Sequence, residues 1–219
     1  MKMGKTFKGI DISTWNGAPD FEQVKSAGHD FVIIKAGGSD YGFYQDSKFI
    51  RNYEAARAAG LHVGAYYFVG PMFYGEQSGI YDAQRFIRIL NGRQFDYPVF
   101  VDIETTSTHM KKEATEAAAA FCRTMETAGY FVGIYASDLY GFRSRLIHKD
   151  LTAWAHWVAD YTGDTDECKD YQIRQISSRG TVPGVQNYVD LDISLVDYPK
   201  IMKEKGLNNY PKPKGGKKK

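Results

Sequence analysis

Cysteine is scarce in this chain, two residues in 219. Cys122 and Cys168 outline neither a disulfide framework nor a zinc-binding pattern. Cys122 falls in an alanine-rich helical stretch and reads as a buried thiol, while Cys168 lies in a polar loop. Long apolar runs are also missing, and none reaches the roughly 20 residues that a membrane span needs. Met1-Lys2-Met3-Gly4-Lys5 leads straight into a strand without an apolar h-region, so no signal peptide is expected. The chain is then expected to be cytoplasmic until another export or lysis route releases it. His29, His62, His109, His148 and His156 show no HExxH-type spacing. No Gly-rich phosphate loop and no Gly-x-Ser-x-Gly elbow occurs either, so neither a metal nor a cofactor is expected.

Net charge is low at +2, but it is unevenly placed. Residues 203–219 hold seven lysines against the single acid Glu204, which leaves 21 basic and 25 acidic side chains for the rest. An acidic body argues against a nucleic-acid groove. Pro211-Lys212-Pro213-Lys214-Gly215-Gly216 and the final lysines read as a disordered tail or linker. One globular domain over residues 1–202 and a basic tail over 203–219 are therefore expected, a size that buries a substantial core.

Aromatics are abundant, with 16 Tyr, 13 Phe and 3 Trp. Strand patterns fall at Gly9–Ser13, Phe31–Ala36, His62–Val69, Pro98–Glu104 and Phe131–Ala136, then Trp157–Tyr161, Tyr171–Ser177 and Tyr188–Ile193. Helical patterns at Phe21–Ala27, Ser47–Ala59, Gln77–Leu90 and Lys112–Ala128 separate the first five, and Gly28, Gly60 and Gly129 stand where helices should stop. This order predicts an α/β fold, an irregular parallel (β/α)-barrel of about five βα units followed by three further strands.

Barrel enzymes gather their chemistry at the C-terminal ends of strands. In Val99-Phe100-Val101-Asp102-Ile103-Glu104 the alternation of strand side chains puts Phe100, Asp102 and Glu104 on one face. Paired carboxylates are the usual equipment for glycosidic-bond cleavage, although an isolated Asp-x-Glu also occurs as an acidic strand end capping a helix. Asp11 in Gly9-Ile10-Asp11-Ile12-Ser13 and Asp190 with Asp192 in Tyr188-Val189-Asp190-Leu191-Asp192-Ile193 add further acids among apolar neighbours. A carboxylate in such a setting is costly to bury without a partner, so three such strands point to one site.

The ordered set Lys8-Gly9-Ile10-Asp11-Ile12-Ser13 with Trp15-Asn16-Gly17, Phe31-Val32-Ile33-Ile34-Lys35-Ala36, Gly64-Ala65-Tyr66-Tyr67-Phe68, Val101-Asp102-Ile103-Glu104, Gly133-Ile134-Tyr135 and Val189-Asp190-Leu191-Asp192 resembles glycoside hydrolase family 25. That resemblance runs from about Lys8 to Tyr198. It implies an N-acetylmuramidase (lysozyme) of the phage-endolysin type, acting on bacterial peptidoglycan through an irregular barrel. By the same resemblance Glu104 matches the general acid, and Asp102, Asp11 and Asp190 match the carboxylates around it. Asp192 stands where the family often has Asn and is not counted as catalytic. Departures are Gly37-Gly38 after Lys35-Ala36 in place of Thr-Glu-Gly, Tyr67 for His, and Arg174-Gln175-Ile176 for Trp-Gln-Tyr.

A proton donor at Glu104 needs a raised pKa, expected here from crowding by Asp102 and Asp11 together with partial burial. The substrate's N-acetyl group, a carboxylate and an activated water are all open as nucleophile. Trp15, Tyr66, Tyr135 and Trp157 lie at or just past strand ends as sugar-stacking candidates, and Lys35 interrupts an apolar strand where it could bind a substrate carboxyl or N-acetyl oxygen. Competing readings are a chitinase-like hydrolase, a metal-dependent phosphodiesterase that uses the four acids as ligands, and a non-catalytic wall-binding module. The first lacks its Asp-Gly-x-x-Asp lead-in before Val101, and the second lacks histidine partners.

Overall fold

The computed structural model describes residues 5–213. Lys214, Lys217, Lys218 and Lys219 of the expected tail, and Met1 to Gly4, lie outside the described residues.

Nine strands form one sheet: β1 (Phe7–Ile12), β2 (Phe31–Gly38), β3 (Tyr44–Gln45), β4 (His62–Phe68), β5 (Val99–Asp102), β6 (Val132–Ser137), β7 (Ala155–Ala159), β8 (Ile173–Gly180) and β9 (Val189–Ser194). Pairing of β1 with both β9 and β2 closes eight of them into a barrel, with β3 left as a short ribbon on β2. Within the barrel, neighbours from β1 through β8 run parallel and β9 is antiparallel to its partners β8 and β1, while the ribbon strand β3 is antiparallel to β2. The helices α1 (Phe21–Ser26), α2 (Phe49–Ala58), α3 (Gly75–Leu90) and α4 (Lys111–Thr127) follow β1, β3, β4 and β5. After β6 the fifth crossover is a π-helical turn, Asp138–Arg143. Five βα units followed by three strands is the arrangement expected from the sequence.

Alternation divides the core into two layers. Val32, Ile34, Val63, Ala65, Val99, Val101 and Ile134 face outward against Phe86, Phe121 and the other apolar helix residues. Phe31, Ile33, Tyr66, Phe100, Tyr135, Trp157 and Ile173 face into the barrel. Glycine makes room for two of these rings: a Cβ on Gly9 would lie 2.3 Å from the Phe31 ring, and one on Gly133 would lie 2.5 Å from Phe100.

The N-terminal end of the barrel is sealed by α5 (Tyr198–Lys205), which the sequence reading did not separate from the tail. Asp197 caps this helix by accepting from Lys200 N, Pro199 occupies the first turn, and Gly206 ends it in the left-handed region at φ 62°. Its Tyr198 packs on Tyr97, which in turn stacks on Phe31 at 4.2 Å. The fold therefore continues past the expected boundary at residue 202. Buried Asn208 donates to Tyr97 O at 2.8 Å and accepts from Phe131 N at 2.6 Å. The Tyr210 hydroxyl bonds Asp96, which also holds Arg57 at 3.0 Å. The lysines around them conceal these packed residues within the expected basic tail.

Candidate active site

A pocket of about 680 Å³ opens at the C-terminal end of the barrel. Every barrel strand contributes a side chain to it: Asp11 from β1, Lys35 from β2, Tyr66 from β4, Asp102 from β5, Tyr135 from β6, Trp157 from β7, Gln175 from β8 and Asp190 from β9. Trp15, on the 3₁₀ turn after β1, and Glu104, two residues past β5, complete the lining. All nine residues singled out in the sequence are thus brought to one place. Beside it lies a second depression of about 430 Å³, walled by Ser137, Asp138, Leu139 and Arg145. Glu104, Tyr135 and Tyr161 line both, so Glu104 stands where the two meet.

The acids differ in environment. Asp102 is 4 % exposed and its Oδ1 has no hydrogen-bond partner among the described residues. Burial raises its pKa well above the usual carboxylate range and the Glu104 charge raises it further, while Lys35 opposes both. Glu104 remains open to water in the pocket yet is ringed by protein atoms on most sides. That enclosure raises its pKa, against the nearby Tyr135 hydroxyl and the charges of Lys35 and Arg145. Of the two expected causes, burial is the one that lifts Glu104, whereas crowding between carboxylates acts on Asp102, Asp11 and Asp190.

Asp11 sits opposite Asp190 in the β1–β9 register, and Gly9 sits opposite Asp192. Both strands turn their acids inward, so three carboxylates share the floor. Burial raises Asp11 well above its ordinary range, with Asp192 and Asp190 adding to it and Gln175 opposing. Asp190 is pushed up to about 6, by burial first and by the Glu104 charge. Asp192 is pushed up to about 8 by burial, against hydrogen bonds with Trp157 and Asp11. At neutral pH such a group cannot be fully ionised, because like charges at close range in a dry site raise one another.

A hydrogen-bond chain fixes this floor. Gln175 Nε2 donates to Asp11 Oδ2 at 2.8 Å, while Gln175 Oε1 accepts from the hydroxyls of Tyr135 at 3.0 Å and Tyr161 at 2.8 Å. Trp157 Nε1 donates to Asp192 Oδ1 at 2.8 Å. Lys35 Nζ lies 4.3 Å from the centre of the Phe68 ring, which holds a cation over the floor.

Burial sorts the aromatics expected to stack on sugars. Trp157 is 1 % exposed and boxed in by Tyr135, Phe100 and Tyr66, so its ring has no free face for a ligand. Tyr66 and Tyr135 are nearly as buried, whereas Trp15 is 83 % exposed at the rim. Tyr41 and Tyr161, which the sequence reading did not pick out, are exposed and line the pocket. Tyr41 lies outside every strand pattern, whereas Tyr161 closes the Trp157–Tyr161 pattern and could have been picked out by that position.

Comparison with known proteins agrees with this geometry. The family model described as "Glycosyl hydrolases family 25" matches residues 10–185. An autolytic lysozyme of Clostridium acetobutylicum is 28 % identical over 187 residues, covering 84 % of this chain and 55 % of that protein. The modular autolysin LytC of Streptococcus pneumoniae superposes with a TM-score of 0.74 at 25 % identity, over 86 % of this chain and 46 % of that one. A bacterial lysozyme from Streptomyces coelicolor gives 0.69 at 26 %, over 85 % and 90 % of the two chains. This chain thus spans only about half the length of the first two relatives. An eight-stranded barrel with acids at its strand ends and a family match over most of its length place the chain in family 25 of the glycosyl hydrolases.

Proposed function

We propose that this protein is a muramidase that hydrolyses the β-1,4 bond between N-acetylmuramic acid and N-acetylglucosamine in bacterial peptidoglycan, with the cell wall as its place of action. The observation that carries the reading is the position of Glu104 at the junction of two adjoining depressions that share it. A glycan laid across that junction would put one sugar above the acid-lined floor and the next in the neighbouring depression, with the linking oxygen near Glu104.

Glu104 donates its proton to the leaving oxygen as the bond to the anomeric carbon breaks, and positive charge spreads over that carbon and the ring oxygen. Enclosure raises the Glu104 pKa, the direction a general acid requires. Whatever fraction of Asp11, Asp102 and Asp190 is ionised stabilises the developing cation. Asp102, which lines the pocket beside Glu104, orients the substrate's N-acetyl group. Water finally supplies hydroxide to the anomeric carbon and returns a proton to Glu104. Lys35 serves a substrate carbonyl or carboxylate, and Trp15 stacks on a sugar at the rim.

Mass spectrometry of purified peptidoglycan after digestion tests the bond assignment. New chains ending in reducing N-acetylmuramic acid are expected. Ends at N-acetylglucosamine would keep the hydrolase and change the bond, and no new reducing ends from folded protein would leave only glycan binding.

A further inference from the structure

Away from the pocket, four potential metal ligands converge that the sequence spacing gave no reason to group. His148 ends up beside His156 of β7, and Cys168 and Asp170 come from the segment joining β7 to β8. One ligand atom from each lies within 4.8 Å of all the others. His148 Nε2 is 3.4 Å from His156 Nδ1 and 2.9 Å from Asp170 Oδ1. His156 Nδ1 is 3.4 Å from the same Asp170 oxygen, and Cys168 Sγ is 3.9 Å from it. Zinc bonds of about 2.0–2.3 Å in a tetrahedron place ligand atoms roughly 3.3–3.7 Å apart. The four atoms need only small rotations to meet that figure.

We propose that His148, His156, Cys168 and Asp170 form a structural zinc site. The surroundings are built as such a site requires. His156 Nε2 lies 3.2 Å from Leu151 O, an N–H to carbonyl bond that leaves Nδ1 unprotonated and aimed at the cluster. Metal-bound histidines are generally oriented by such a carbonyl. Asp138 accepts from Asp166 N and Cys168 N, each at 2.8 Å, which sets the approach of Cys168 before any ion arrives. Phe142 packs edge-on against both imidazoles as a dry wall. His156 and Cys168 are buried, while Asp170 is half exposed and gives an ion access from solvent.

Charge also favours a divalent ion. Without a cation, a buried thiol beside Asp170 stays protonated. Zinc binding releases the thiol proton to solvent, and one thiolate with one carboxylate then balances the 2+ ion beside two neutral imidazoles. A thiolate with two imidazoles selects zinc over the hard cations magnesium and calcium. The ion would tie β7 to the far end of the segment that begins with Asp160 and Tyr161, and the latter holds Gln175 in the pocket floor.

The test is metal retention by the full chain after incubation with excess zinc chloride and gel filtration. Equimolar zinc by plasma mass spectrometry and a higher Tm than the chelated protein are expected. Cys168→Ser and the half-exposed Asp170→Ala should each weaken zinc binding by about 10-fold or more and reduce the Tm gain. With cobalt(II), the wild type should show tetrahedral d–d bands and a thiolate charge-transfer band that Cys168→Ser lacks. Folded wild-type protein that retains no zinc and gains no Tm would overturn the site, as would unchanged affinity in both variants. None of these readouts depends on glycan hydrolysis.

Discussion

Gln175 on β8 donates a 2.8 Å hydrogen bond to Asp11 on β1, across the floor of a barrel in which the two residues are 164 positions apart in sequence. Because Gln175 Oε1 also gathers the hydroxyls of Tyr135 and Tyr161, one amide orders an acid and two phenols. Gln175→Leu keeps much of the volume and removes all three bonds. A fall in kcat of about 10-fold with a smaller change in KM is expected, since loss of orientation acts on the chemical step. Steady-state kinetics on soluble peptidoglycan fragments checks this, and an unchanged kcat would remove Gln175 from the positioning chain.

The buried Asp192 makes stability depend on pH in a definite sense. Its folded pKa is raised, to about 8. Its contribution is therefore fully present below the unfolded value of about 4, and is lost as pH rises through about 8. Asp192→Asn keeps an acceptor for Trp157 and a donor toward Asp11 without the titration. Between pH 5 and pH 8.5 the wild type should lose Tm, and the variant should lose less, by roughly 1–3 kcal/mol of stability. Thermal melts across that range measure it, and equal slopes would contradict the raised pKa.

Asp96 behaves in the opposite sense. Burial alone would raise it, but hydrogen bonds from His62, Tyr210 and Val63 N together with the Arg57 charge bring it down to about 2. Its stabilisation is present above about pH 4 and is lost as pH falls toward 2. Asp96→Asn should cost about 1–3 kcal/mol at pH 7 and flatten the acid limb of the stability curve. Asn208→Ala, which strips partners from Tyr97 O and Phe131 N, should cost about 2–3 kcal/mol at any pH. Urea unfolding at pH 7 and pH 3 distinguishes the two.

The rim aromatic Trp15 is exposed enough that removing it should leave the fold alone. Trp15→Ala is expected to raise KM several-fold with kcat nearly constant and stability within about 0.5 kcal/mol. A loss confined to kcat would mean that Trp15 shapes the reacting centre and does not hold a sugar.

Much of this fold could be read in the chain because its signals are local. Eight apolar runs of strand length mark the barrel strands, and alternation alone puts Phe100 inward and Val99 and Val101 outward. The inward acids could be read for the same reason, each being a charged residue in an apolar strand. Gln175 and Tyr161 have no such contrast with their neighbours and matter only through contacts across the barrel. The zinc cluster draws on spacings that match no sequence pattern, since its geometry arises from β7, the turn before it and the segment that joins it to β8. Asp197, Pro199 and Gly206 did carry start and stop signals for α5, obscured by the lysines around them. The burial of Trp157 was not legible, because strand periodicity shows which way a side chain faces and not how deep it lies.

The most direct measurement is kcat for Glu104→Gln on purified peptidoglycan, with the Tm of the variant recorded beside it. With Glu104 as proton donor, kcat should fall by about 10²–10⁴ while Tm stays within a few degrees. A folded Glu104→Gln protein that retains wild-type turnover to within a few-fold would contradict proton donation by Glu104.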